Sequence, residues 1–185
     1  MTTVMTKHIL FLQGGAGIED HEEDAKLVES LNRILGRAYV IHYPLLPEES
    51  TPDFGRIKQI NKELSALEGD IILMGHSLGA SMLLKYLSEH EVNKKIIGVF
   101  LISTPFWSGD EDWKQGFILR PDFADKLPQN VPVFLYHCID DEVVPFEQLS
   151  QYKKKLPGAT VREIPAGGHQ LNDDLAIVAK DIKSL

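Results

Sequence analysis

Residues 71 to 80 read Ile71-Ile72-Leu73-Met74-Gly75-His76-Ser77-Leu78-Gly79-Ala80, an apolar run and a helical stretch joined by a G-x-S-x-G pentapeptide. A short apolar run that ends at glycine reads as a buried strand, and Leu78 to Glu89 carries the helical character that follows it. A serine on so sharp a strand-to-helix turn must adopt strained backbone angles. Only glycines two residues to either side let strand and helix approach closely enough. The strain lifts the Ser77 hydroxyl clear of the sheet. The next helix begins beneath it, so free N–H groups and a positive dipole end face any negative charge that develops there. The same pattern also fits a glycine-rich connection with an incidental serine. The functional reading therefore depends on partners downstream.

An activated serine needs a general base, and the base needs an acid to fix its tautomer; on this kind of scaffold the chain order is serine, acid, histidine. Val131 to Cys138 is a β-branched and aromatic run that enters the acidic loop Asp140-Asp141-Glu142 and is closed by Pro145. An acid at the carboxyl end of a parallel strand points into the crevice. Thr160 to Pro165 is a further strand, and Ala166-Gly167-Gly168-His169 is a loop before the last helix. Of the seven histidines, His169 alone stands in a Gly-rich loop after a late strand. His76 adjoins the serine, but its side chain leaves the turn in the wrong direction to act as a base. His137 alternates within a strand, as packed or hydrogen-bonded structural histidines do. His8, His21, His42 and His90 precede the acid or lie at helix ends. Asp140 and Asp141 are adjacent and point differently, and pattern alone leaves the choice between them open.

On these motifs the whole chain resembles a small single-domain α/β-hydrolase, a serine hydrolase of the minimal bacterial esterase type. Such proteins commonly carry the acid in an Asp-x-x-Val-Pro element, here Asp141-Glu142-Val143-Val144-Pro145. The resemblance thus favours Asp141 as the acid, leaving Asp140 as a turn or cap residue and Glu142 as a solvated loop acid. It also implies oxyanion donors from the backbone N–H groups of Gly15 and Leu78, with Ala16 a further candidate in the loop Gln13-Gly-Gly-Ala-Gly17. Family members often have His-Gly where this chain has Gln13-Gly14. A backbone donor does not depend on that side chain. No cofactor or metal is implied, and neither G-x-G-x-x-G nor G-x-x-x-x-G-K-[ST] occurs in full.

The rest of the chain fits one scaffold. Strand-like runs fall at 9–12, 38–42, 71–74, 96–103, 131–138 and 161–164. Three apolar stripes at helical spacing lie among them: Leu27, Leu31, Ile34 and Leu35; Ile57, Ile60, Leu64 and Leu67; and Leu171, Leu175, Val178 and Ile182. Alternation of strand and helix predicts a three-layer α/β/α sandwich around a mostly parallel sheet of about six strands, without a large cap domain. The expectation is one domain over 1–185 with a short lid-like insert at about 106–128. That insert holds Phe106, Trp107, Trp113, Phe117 and Phe123 among Asp110, Glu111 and Asp112. Its aromatics either pack it onto the core or wall a shallow acyl pocket, with Trp107 and Trp113 the candidate substrate contacts and the acids disfavouring anionic substrates.

Composition is consistent with this reading. A chain of 185 residues suffices for one core. A net charge of −8 argues against nucleic acid and against an anionic membrane surface. No run is long enough to span a bilayer. Cys138 is the only cysteine, which excludes an intrachain disulfide and, with no secretory h-region in view, favours a cytoplasmic location. The activity expected is cleavage of a carboxylic ester or thioester of a small to medium uncharged substrate through an acyl-enzyme. Acyl transfer on the same residues and a non-catalytic interaction module are the alternatives, and the oligomeric state is left open.

Overall fold

Neighbouring side chains of the central strands go to opposite faces, and the sequence fills both faces with apolar residues. The computed structural model describes residues 6–46 and 48–185, so residues 1–5 of the expected domain, and Pro47, lie outside the described residues. Six strands, β1 (Lys7–Leu12), β2 (Tyr39–His42), β3 (Ile71–His76), β4 (Ile96–Ile102), β5 (Val133–Cys138) and β6 (Thr160–Ile164), form one sheet in the order β2-β1-β3-β4-β5-β6. All five pairings are parallel. A parallel sheet needs cover on both faces. Leu10, Leu12, Ile71, Leu73 and Leu101 join one core cluster, whereas Ile9, Phe11, Ile72, Met74 and Ile102 join the other.

The helices are α1 (Ile18–Leu35), α2 (Arg56–Ser65), α3 (Leu78–Glu89), α4 (Phe123–Lys126), α5 (Leu149–Lys155) and α6 (Ala176–Ile182). Leu27, Leu31 and Leu35 of α1 and Val178 and Ile182 of α6 close the second cluster. Ile60 and Leu64 of α2, the apolar residues of α3, and Leu149 and Tyr152 of α5 close the first. The result is the α/β/α sandwich. The chain runs from β1 outward to β2, then returns to the other side of β1 as β3. Strand order reverses between β1 and β3, which is where a crevice opens at the carboxyl ends of such a sheet.

Besides shifts of one or two residues at other strand ends, two details differ from the sequence reading. Strand β3 continues through Gly75 and His76 to the residue before Ser77, instead of ending at Met74. The last helix does not begin at Leu171. Leu171, Asn172 and Asp173 all have positive φ, a conformation that no right-handed helix accepts, and α6 starts at Ala176. Leu171 and Leu175 are buried all the same. Their spacing imitates a helical stripe while the backbone makes a tight turn, in which Asn172 N donates to Gly167 O at 2.8 Å.

Candidate active site

Ser77 has φ 51° and ψ −122°, left-handed backbone for a residue with a side chain, at a cost of about 1–3 kcal/mol. The two flanking glycines permit the turn. A Cβ on Gly79 would run into the carbonyl groups of Leu12 and Gln13, and one on Gly75 would lie 2.6 Å from Ala80 N. The turn is held from behind by Ser77 N donating to Ile102 O at 2.8 Å. Ala80 N and Ser81 N close on Ser77 O at 3.0 and 3.2 Å, which starts α3 and leaves Leu78 N–H without an acceptor among the described residues.

The loop after β1 is fixed by side chains on every side. The buried Gln13 donates from Nε2 to Gly17 O at 2.9 Å and accepts from Leu46 N at 3.1 Å, so the residue that departs from the family's His-Gly pattern braces the loop internally. Gly14 N donates to Asp24 at 2.7 Å, and Ala16 N and Gly17 N donate to Asp20 at 3.0 and 3.1 Å. Ala16 N–H is therefore engaged, while Gly15 N–H has no acceptor among the described residues. Arg56 is fully buried and donates from Nη2 to Gly15 O at 2.7 Å and from Nη1 to Leu46 O at 3.2 Å. Burial pulls its pKa down against the opposing charges of Asp20, Glu48 and Asp53. A charged donor on the Gly15 carbonyl stiffens the loop from the side away from the cleft.

Asp141 and His169 meet. His169 Nδ1 lies 3.0 Å from both Asp141 carboxylate oxygens, so the carboxylate accepts from Nδ1–H and leaves the Nε2 lone pair for the cleft. Asp141 also accepts from Val143 N at 2.9 Å and Val144 N at 2.8 Å, and His137 Nε2 lies 3.3 Å away while donating to Val144 O at 2.9 Å. Burial alone would raise the Asp141 pKa. The hydrogen bonds from His137, His169, Val144 and Val143 outweigh burial and hold the carboxyl well below its ordinary range. Asp140 instead accepts from Gly167 N and Gly168 N, and Glu142 accepts from His169 N at 3.1 Å, so both acids tie down the base loop. Cys138 is buried, and desolvation with the charges of Asp140, Asp141 and Glu142 pushes its thiol up to about 11, the reverse of an activated nucleophile.

Ser77 and His169 border one cleft of about 210 Å³ together with Gly14, Gly15 and Gln170, although no hydrogen bond joins them among the described residues. Such contacts commonly tighten only when substrate is bound. Ser77 also borders a larger cleft of about 610 Å³, lined by Gly15, Phe54, Phe106, Trp107, Trp113 and Phe117 among others. The aromatics of the 106–128 segment divide between packing on the core and lining this cleft. Phe123 is buried in the core, Trp107 is half-buried with its Nε1 donating to Ser81 Oγ at 3.1 Å, and Trp113 is 60% exposed at the cleft wall. Asp110, Glu111 and Asp112 are exposed and line no part of this cleft. The one charged lining residue, Lys114, is paired with Glu111 at 2.7 Å.

Sequence reasoning missed two residues that hold this site and read a third only in part: His137, expected as a packed or hydrogen-bonded strand residue, supports Asp141. Arg56 gave no signal. Asp24 shares the spacing of Leu27, Val28, Leu31 and Leu35 and is buried with them. That register was visible. Among the described residues no group of three or more His, Cys, Asp or Glu side chains is placed to hold a metal, and no helix is long and apolar enough to cross a membrane.

Solved structures share the whole architecture. Est1E from Butyrivibrio proteoclasticus matches with a TM-score of 0.67 at 20% identity, covering 97% of this chain and 86% of that one. The ydeN gene product from B. subtilis matches at 0.66 and 18%, covering 97% of each chain. A lipase-esterase related protein from Clostridium acetobutylicum matches at 0.65 and 15%, covering 98% of this chain and 96% of that one. At these identities the likeness is one of fold, a small α/β-hydrolase. No curated protein matches the sequence. The sequence model of the serine hydrolase family spans residues 48–175, from the loop before α2 past both Ser77 and His169, and by that match the chain belongs to the serine hydrolase family.

Proposed function

We propose that the protein cleaves a carboxylic ester, or a thioester, of a small to medium uncharged substrate through a covalent acyl-enzyme. Ser77 Oγ attacks the carbonyl carbon as His169 Nε2 removes its proton, and Asp141 holds the imidazole in the tautomer that leaves Nε2 free. The developing oxyanion is received by the N–H groups of Gly15 and Leu78. His169 then gives the proton to the departing alcohol or thiol. Water enters on the same side and gives a proton to His169 as it attacks the acyl carbon; the bond to Ser77 Oγ then breaks, His169 returns the proton to that oxygen, and the acid is released.

The observation that carries this reading is the Asp141–His169 hydrogen bond at the edge of a cleft that Ser77 shares, with two free N–H groups in the adjoining turns. The two clefts suggest how a substrate lies. His169 borders only the smaller one, so the leaving group belongs there, and the acyl group belongs against Trp107, Trp113 and Phe117. In this reading residues 106–128 are a short lid-like insert on a single domain. One buried cysteine suits a cytoplasmic protein. The test is labelling by a fluorophosphonate, which reacts readily only with an activated serine in a formed oxyanion site. Stoichiometric modification of Ser77, located by peptide mass, is expected; a folded protein that stays unlabelled overturns the proposal.

A further inference from the structure

His76 borders the smaller cleft beside Ser77 but is only 1% exposed. Its Nδ1 lies 2.9 and 3.0 Å from the two carboxylate oxygens of Asp24, and its Nε2 lies 3.0 Å from the backbone carbonyl of His169. A carbonyl only accepts, so Nε2 carries a proton. The Asp24 carboxylate already accepts from Gly14 N at 2.7 Å and from Gln170 Nε2 at 3.1 Å, which leaves it an acceptor toward Nδ1 as well. His76 is therefore an imidazolium that donates at both ends, and it has no lone pair for catalysis. The His169 carbonyl receives a second hydrogen bond, from Ser103 Oγ at 3.1 Å.

These contacts connect the three segments of the site. Gly14 precedes the oxyanion donor Gly15, His76 precedes Ser77, and Gln170 follows His169. We propose that Asp24 and His76 are a positioning pair that sets the base loop against the nucleophile turn, the decisive link being His76 Nε2–H to the His169 carbonyl. Asp141 fixes the ring of His169 at Nδ1, and His76 fixes its backbone; with both ends held, Nε2 can face Ser77 in one place only. A shift of about 1 Å at such a base costs on the order of 10²-fold in rate. The proposal rests on the assignment of Ser77 and His169 above.

The experiment compares His76→Gln with His76→Asn. A glutamine amide nitrogen takes the place of Nε2 and keeps the link to His169, whereas an asparagine amide nitrogen takes the place of Nδ1 and keeps only the link to Asp24. With p-nitrophenyl acetate, His76→Asn is expected to lose about 30- to 100-fold in kcat with KM little changed, and His76→Gln to stay within about fivefold of wild type, at similar urea midpoints. Equal kcat in the two variants, or kcat that merely follows the urea midpoint, overturns the proposal. If the His76 variants do not fold, Asp24→Asn reads the pair from its other side: a kcat loss of about tenfold or more with KM little changed and an intact fold is expected, and kcat within about twofold of wild type overturns the proposal. Ser77→Ala run in parallel separates the two readings. Full activity there brings down the site assignment and this proposal with it, whereas inactivity there beside indifferent His76 variants rejects the positioning pair alone.

Discussion

Two Asp–His pairs lie side by side in this molecule, their imidazole rings 4.7 Å apart, and they are built for opposite ends. In Asp141–His169 and in Asp24–His76 alike a buried carboxylate accepts from Nδ1–H at about the same distance. The difference is at Nε2. In His169 that nitrogen faces a cleft; in His76 it is capped by a backbone carbonyl. A carboxylate thus does not make a base of the histidine beside it. What faces the far nitrogen decides whether the ring can exchange a proton or only hold a position.

The largest effects should separate the pairs outright. Ser77→Ala and His169→Ala are each expected to lower kcat for ester hydrolysis on the order of 10⁴-fold or more while leaving the thermal midpoint close to wild type, since triad members act as a unit. Near wild-type activity in a folded Ser77→Ala protein would end the distinction between a reactive and a positioning pair. Next in size is the contrast between neighbouring acids. Asp141→Asn should cost on the order of 10³-fold or more in kcat, because an amide at that place favours the wrong imidazole tautomer. Asp140→Asn should cost under about tenfold, because its amide oxygen can still accept from Gly167 N or Gly168 N. Reversed effects would move the acid to Asp140.

A smaller effect sharpens the comparison through pH. Burial alone would lower the His76 pKa, but the charge and hydrogen bond of Asp24, the His169 carbonyl and the more distant charge of Asp141 raise it above its ordinary 6.5. Asp24 is lowered below its ordinary 3.8: burial opposes this, and His76, Gly14 and Gln170 overcome it. The His76 contribution to stability is thus fully present below 6.5 and is lost as pH rises through the raised folded value. The Asp24 contribution is present above 3.8 and is lost as pH falls through the lowered one. Asp24→Asn, worth about 1–3 kcal/mol for the altered buried hydrogen bonds, should therefore lie furthest below wild type near about pH 6 and closer to it near about pH 9. Urea titrations at the two pH values check this, and a gap that widens toward alkaline pH contradicts an imidazolium at His76.

The sequence made some of this legible and not the rest, for physical reasons. Gly75, Ser77 and Gly79 were readable because a strained turn between strand and helix tolerates so few residues. His169 was readable by elimination along the chain. The choice of Asp141 needed a family resemblance, because two adjacent acids differ only in direction, which tertiary packing sets. Asp24–His76 joins residues 52 apart in sequence, and His76–His169 residues 93 apart. Nothing local announces such contacts beyond the apolar register of Asp24. The start of α6 was misread because Leu171 and Leu175 satisfy a helical spacing while three left-handed residues forbid the helix.

The smallest expected effect falls on the large cleft, where the insert's two tryptophans make another instructive pair. They meet edge to face with ring centroids 5.7 Å apart, and both line the wall beside Ser77. Trp107 is also packed against the core and bonded to Ser81, so its truncation mixes lost stability with lost specificity. Trp113 is 60% exposed, held by its contact with Trp107 and by the Lys114 ammonium 5.3 Å from its ring. Trp113→Ala should therefore change the thermal midpoint little, within about 0.5 kcal/mol of stability, and widen the cleft. Wild type is expected to hydrolyse p-nitrophenyl esters of short and medium acyl chains best, with activity falling on longer chains and without interfacial activation, because a wall of rings closes a cleft of about 610 Å³. Removing Trp113 should move that fall toward longer chains by a few-fold in kcat/KM, the scale set by a few methylenes in an apolar pocket. An unchanged chain-length profile in folded Trp113→Ala, or a wild-type preference for emulsified long-chain esters, would take the acyl group out of the aromatic cleft.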